Sequence, residues 1–321
     1  MSAHGGGKAI LAAFAANIGI AIAKFIGWII SGSASMLAEA IHSVADSGNQ
    51  LLLLLGGRRA RRAADREHPF GHGRERYVYA FVVAIILFSV GGVFSLYEGV
   101  EKLTHPHAVE NAWLPIAILV IAIGLESFSL RTAVKESNAV RERGQSWVSF
   151  IRRAKAPELP VVLLEDFAAL IGLTLALLGV GLTVLTGDAV FDALGTICIG
   201  VLLILVAIVL GIETKSLLVG EGASEADFER IVAAIEAGPE VEKLIHVKTL
   251  YVGPEELMVA GKVGLPQDIS VADAARDIDA VEARIREAVP AARIIYLETD
   301  VYRAPHEPGP PTETFILKSS D

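Results

Sequence analysis

Cysteine is almost missing from these 321 residues, since Cys198 stands alone inside an apolar run. A single thiol makes no intrachain disulfide and no thiolate metal cluster. An excess of positive charge is missing too. Against 37 acidic residues stand 28 lysines and arginines, a net charge of -9. No nucleic-acid partner is expected, because phosphate binding needs a basic surface. No H-E-x-x-H stretch and no paired nucleophile and base appear, so the usual signatures of a hydrolase are lacking. No signal peptide is evident: the first apolar run begins near Lys8 and carries no small-residue cleavage pattern.

What is present is apolar. Hydrophobic residues make up 53% of the chain, and the mean hydropathy is +0.52. That balance predicts a membrane protein. Six runs are long enough to span a bilayer, near 9–30, 34–57, 78–99, 113–134, 160–186 and 189–212. Charge sorts by side. Arg58, Arg59, Arg61, Arg62, Arg66, Arg74 and Arg76 lie between the second and third runs. Lys135, Arg141, Arg143, Arg152, Arg153 and Lys155 lie between the fourth and fifth, whereas the opposite loops hold only Lys102. The positive-inside rule then puts both termini in the cytoplasm. The expected setting is a bacterial inner membrane.

From Glu213 onward the pattern changes. "ASEADFERIVAAIEAG" and "SVADAARDIDAVEARIREAV" read as amphipathic helices capped by Ser224 and Ser270. "HVKTLYV", "LMVAGKVGL" and "ARIIYLETDVY" read as strands, the first two divided by the turn "GPEE". The order αββαβ predicts a small cytoplasmic α+β domain of ferredoxin-like type. The expected division is a six-span domain over 1–212, the α+β domain over 213–303 and a flexible tail over 304–321.

The second run holds Glu39, His42, Asp46, Asn49 and Gln50. Positions 39, 42, 46 and 49 share one helical face. His42 and Asp46 are one turn apart and can reach a single ion; the alternative is that they hydrogen-bond to other helices. Intramembrane ionisable groups commonly mark an ion path. The fifth run holds Glu165 and Asp166 near its cytoplasmic end. They either flank a cavity or snorkel to water. Glu126 lies well inside the fourth run. Lys24 and Asn17 of the first run are assigned packing or interface roles.

"SGSASMLAEAIHSVADSGNQ", the Arg-rich loop with "HPFGHGRERY", then "LLEDFAALIGL" and "FDALGTICIG" resemble the cation diffusion facilitators. Within them, "LLED" and the fourth-run acid are similar to the branch that includes an animal mitochondrial zinc transporter. The resemblance implies a homodimer in the lipid bilayer. It also implies exchange of a divalent metal, usually zinc, for protons by alternating access. The metal is then substrate, not cofactor. Carried over, His42 and Asp46 match the second-span ligand pair, and Asp166 matches the later fifth-span ligand. The earlier position is Val162, which cannot ligate. Glu165, Glu126, Glu39 or a water can supply the fourth ligand, with Glu165 first because it adjoins Asp166.

Asp65, His68 and His72 form D-x-x-H-x-x-x-H in the Arg-rich loop, a donor set that suits zinc. The family sometimes carries a second metal site there; a loop that meets lipid headgroups or docks on the soluble domain is the other reading. In the C-terminal domain His246 matches a family ligand position, but Lys262 stands among Glu298 and Asp300 and argues against a dinuclear site. The remaining histidines, His4, His105, His107 and His306, read as solvated. A histidine ligand favours zinc, cobalt or iron, and several carboxylates shift the preference towards manganese. An intramembrane metalloenzyme and a non-transporting metal sensor or scaffold are the competing classes.

Overall fold

The computed structural model describes residues 7–31, 34–105, 113–142 and 144–302; the side chains at 31, 34–39, 41, 42 and 45 are outside that set. The predicted tail from 304, with His306, and also His4 and His107, lie outside the described residues.

The helical part is built from α1 (Gly7–Ser31), α2 (Ala34–Arg59), α3 (Glu75–Ile86), a π-helical stretch (Leu87–Val93), α4 (Phe94–Thr104), α5 (Trp113–Val140), α6 (Trp147–Arg153), α7 (Glu158–Thr186) and α8 (Val190–Val219). α3, the π stretch and α4 run on as one 30-residue span. Among the described residues, five such spans are long and apolar enough to cross a membrane, namely α1, α3 through α4, α5, α7 and α8. α2 has 26 residues, so it is as long as they are, but its polar stripe lowers its apolar content. Helices suit this environment because every interior N–H and C=O is bonded within the segment.

Several helices overrun the apolar runs that announce them. α8 continues through Glu213 and Lys215 to Val219, and α5 through Lys135 and Glu136 to Val140. Hydropathy marks where hydrocarbon ends, whereas backbone hydrogen bonding continues until a cap stops it. α7 ends where a cap is available: Gly187 takes φ +76°, a left-handed turn that glycine adopts without Cβ strain. Lys102, read from sequence as a loop residue, lies in the last turn of α4.

The π stretch has a local cause. Its sequence, LFSVGGV, has two adjacent glycines, with Ser89 before them and Ser95 just after the stretch. Ser89 Oγ donates to the Ile85 carbonyl at 2.8 Å, and Ser95 Oγ to the Gly91 carbonyl at 2.6 Å. These hydroxyls satisfy carbonyls that the widened turn loosens. This span then packs closely on α8. A Cβ built on Gly200 would lie 2.8 Å from the Leu96 amide nitrogen, and one on Gly99 would lie 2.9 Å from that of Ile197. Small residues allow such approach between helices in lipid. Elsewhere the core is rich in alanine: Ala9, Ala13, Ala80, Ala84 and Ala133 pack with Leu53, Val83 and Val162.

The C-terminal unit contains α9 (Glu225–Glu236), β1 (Lys243–Gly253), β2 (Glu256–Gly264), α10 (Val271–Ala288) and β3 (Ala292–Asp300). This is the αββαβ order read from sequence. Ser224 and Ser270 cap their helices as expected, each Oγ accepting from the amide three residues on, at 3.2 and 3.1 Å. The strands lie in the order β1-β2-β3. The two-residue link Pro254–Glu255 makes β1 and β2 a hairpin. β2 and β3 pair in parallel, with α10 as crossover and Lys262 opposite Glu298. Ile231, Ile235, Leu257, Val259, Val281 and Ile285 fill the core of this unit.

The glycine seam yields a direct test. Gly200→Ala forces its methyl against the Leu96 backbone and is expected to cost about 1–3 kcal/mol. Gly211→Ala, with nothing within 4 Å of the new Cβ, is the control and should gain about 0.5–1 kcal/mol from helix propensity alone. Thermal unfolding of both variants in one detergent checks the difference.

Candidate metal centre

Position in the bundle comes first. Arg76 at the start of α3 meets Glu158 at the start of α7, with Nε 2.5 Å from Oε1. This pair is nearly buried and fixes the register of α7, so Glu165 and Asp166 fall two turns further in. Both acids are buried, at 7% and 1% exposure.

Their surroundings differ. Both oxygens of Glu165 are taken by neighbouring amides of α2: Asn49 Nδ2 donates at 3.1 Å and Gln50 Nε2 at 3.0 Å. Gln50 Oε1 in turn accepts from Asn17 Nδ2 of α1 at 3.2 Å. Asp166 points about 100° away round the helix, as adjacent helical residues do. Its Oδ2 accepts from Ser129 Oγ of α5 at 2.6 Å. Glu126, one turn before Ser129 on α5, is 2% exposed, and its Oε2 has no hydrogen-bond partner among the described residues.

A cavity of about 220 Å³ runs between the helices, and Asp46, Glu126 and Glu165 all line it. Asp166 is not among its lining residues. The carboxyls of Asp46, Glu165 and Asp166, with the Lys24 ammonium, lie within electrostatic reach of Glu126. Of the residues singled out in sequence, three acids are therefore brought to one space and a fourth stands beside it. His42 lies on α2 one turn before Asp46, and Glu39 one turn before that; their side chains are outside the described set. Val162 is fully buried among apolar neighbours.

The loop between α2 and α3 also closes on its three predicted residues. Asp65 Oδ1 accepts from the amides of Glu67 at 2.9 Å and His68 at 2.7 Å, an Asx-type turn. Gly71, at φ +80°, reverses the chain after Pro69. His72 then lies with Nε2 3.1 Å from Asp65 Oδ2, and the two imidazole rings are 4.3 Å apart. One potential ligand atom from each of Asp65, His68 and His72 lies within 4.8 Å of the others. The bond from the His68 amide, then that from the His72 ring, holds the Asp65 carboxyl down at about 2.

In the C-terminal unit the ammonium of Lys262 sits 3.0 Å from both Glu298 and Asp300. Bonds to Asp300 and Glu298 hold its proton more firmly than usual. A cation from the chain itself already occupies that acidic pair, while His246 is exposed on β1. His105 is exposed at the end of α4.

The model of the cation efflux transmembrane domain matches residues 10–219. The chain belongs to the cation efflux family. It is 31% identical over 290 residues to the proton-coupled zinc antiporter SLC30A9, mitochondrial, of Xenopus laevis, which covers 89% of this chain and 52% of that protein. It is 30% identical over 248 residues to metal tolerance protein C4 of Arabidopsis thaliana, covering 77% of the chain and 54% of the relative. The cation-efflux pump FieF of Klebsiella pneumoniae is 23% identical over 288 residues, 90% of each protein. The chain thus spans about half the length of the first two relatives. With its apolar spans, this member of the family is a multi-pass membrane protein, close to the branch that the frog protein represents.

Some of the cation efflux chain's polar partners were not singled out from sequence. Ser129 stands three residues after Glu126, so helical spacing alone marks it as sharing that face. Arg76 and Glu158 give no such signal, because they are far apart in sequence. The Asp65 turn predicts a pH dependence. Its folded pKa lies below the ordinary 3.8, so its contribution is complete above pH 3.8 and lost as pH falls through about 2. Amide exchange at Glu67 and His68, corrected for intrinsic rates, should be slow above pH ~4 and accelerate across that window. In Asp65→Ala it should be fast throughout.

Proposed function

We propose that the protein is a transporter, not an enzyme, and exports divalent metal cations in exchange for protons, with zinc the first substrate to test. What carries the reading is the Glu126 oxygen: buried, without a hydrogen-bond partner among the described residues, and facing a cavity that also holds Asp46. An ionised carboxylate in that position calls for a cation. The zinc antiporter relatives support both the metal and the proton coupling. In this reading His42 and Asp46 of α2, Asp166 of α7 and Glu126 of α5 form the ligand set. Metal binding to such groups displaces protons, which links the two flows.

The amides of Asn49 and Gln50 turn the choice of fourth ligand from Glu165 to Glu126. Glu165 already has a donor on each oxygen and serves to hold α2 against α7. The protein works as a homodimer with both termini in the cytoplasm of a bacterial cell, its arginine-rich loop on the same side. Asp65, His68 and His72 form a second metal site, supported by the closeness of their ligand atoms.

Flux into proteoliposomes under an imposed pH gradient, run for zinc, manganese, iron and cobalt, tests the reading. Asp46→Asn should abolish flux while the protein stays folded; normal flux would sink the assignment. Glu126→Gln should weaken zinc binding at least tenfold, about 1.4 kcal/mol. Glu165→Gln should change it less than about threefold, because the amides and not the metal hold that carboxylate. The reverse order, measured by calorimetric titration, would return Glu165 to the metal. His42→Asp should raise the manganese-to-zinc flux ratio, as an all-oxygen shell suits the harder ion.

A further inference from the structure

The cavity that reaches Asp46 and Glu126 has a second polar cluster at its other end. Glu98 and Lys102 of α4, with Asp192 and Thr196 of α8, line it there. Lys102 Nζ lies 3.1 Å from Asp192 Oδ2 and 3.4 Å from Glu98 Oε1, and donates to Thr196 Oγ1 at 3.2 Å. These groups stand within a turn or two of the helix ends. The Lys102, Glu98 and Asp192 side chains are 27%, 22% and 21% exposed, against 2% for Glu126. The cluster is the more exposed part of the lining, and the buried acids are the less exposed part; we take it as the mouth of the space.

Two acids at such a mouth would draw divalent cations in and retain them. The ammonium between them offsets one charge, so formal charges leave the trio at about -1 in place of -2. It is also held from three sides and cannot swing away without losing all three contacts. A charge fixed in a low-dielectric passage acts mainly on the barrier for passing ions. It lies near the ends of α4 and α8, whereas Asp46, Glu126 and Asp166 lie deep in their helices.

We propose that Lys102 sets the entry barrier of the cation path. Its fixed positive charge, positioned by Glu98, Asp192 and Thr196, sets the barrier for divalent cations at this mouth and does not contact metal in the site. This rests on the transport reading above.

The test is stopped-flow zinc binding to the full chain in nanodiscs, with calorimetric Kd measured alongside. Lys102→Gln should raise the zinc on-rate and off-rate together, roughly three- to tenfold, and steepen their dependence on salt. Glu98→Gln should lower both rates by a similar factor. Kd should stay within about twofold in each, and Lys102→Arg should keep the unsubstituted rates. Both glutamine variants break the same ion-paired cluster, so a merely structural role would move them in the same direction. That outcome overturns the proposal, and so does a change confined to Kd. If the unsubstituted chain binds no zinc, manganese, iron or cobalt, the transport reading fails and this inference falls with it. If it binds metal with rates indifferent to the sign of the substituted charge, only the role of Lys102 is lost.

Discussion

A carboxylate inside an apolar helix bundle must find a donor, a proton or a cation, since leaving it bare costs several kcal/mol. The membrane part of this protein is arranged around that demand. Glu158 meets a guanidinium from α3, Glu165 meets two amides from α2, and Asp166 meets a hydroxyl from α5. Each solution joins α7 to a different helix. The acids of one span therefore set the register of three others, something side chains as apolar as lipid would do weakly.

Close packing makes these bonds reachable. Alanines at the core faces of α1, α3 and α5 bring the backbones near enough for short side chains such as Ser129 and Asn49 to cross between helices. The span of α3 and α4 uses a different device. Its glycines fit it against α8, and its polar contacts with α8 gather at the Lys102 end. A polar network through α1, α2, α5 and α7 thus stands beside a nearly apolar pair, and the cavity runs along their boundary.

Much of this was legible in the sequence, and the failures have identifiable physical causes. The spans were visible because hydrocarbon demands about 20 apolar residues in a row. Their ends were less so, because a helix such as α8 continues past the apolar run on hydrogen bonding alone. The αββαβ order was visible in its caps and in the turn "GPEE". Asp65, His68 and His72 were visible as a spacing, yet the Asx turn and Gly71 that bring them together depend on backbone geometry. The amide pair on Glu165 was hidden for a different reason. Asn49 and Gln50 were seen, but which of two adjacent acids they would hold depends on the rotation of α7 against α2, which no local pattern encodes.

Three acidic clusters in this chain show how a charge is answered, and their differences bear on function. In the C-terminal sheet Lys262 lies between Glu298 and Asp300, so the chain supplies its own cation. In the loop, backbone amides and an imidazole take up Asp65. In both the acid already has donors from the chain, and the loop in addition keeps ligand atoms of Asp65, His68 and His72 within 4.8 Å of one another. In the cluster around Glu126, a buried oxygen lacks a hydrogen-bond donor among the described residues, and its residue lines the cavity. The Lys24 ammonium stands within electrostatic reach of that acid, yet it gives no hydrogen bond to its Oε2. The strongest requirement for a proton or a cation therefore falls at mid-bundle, beside the cavity.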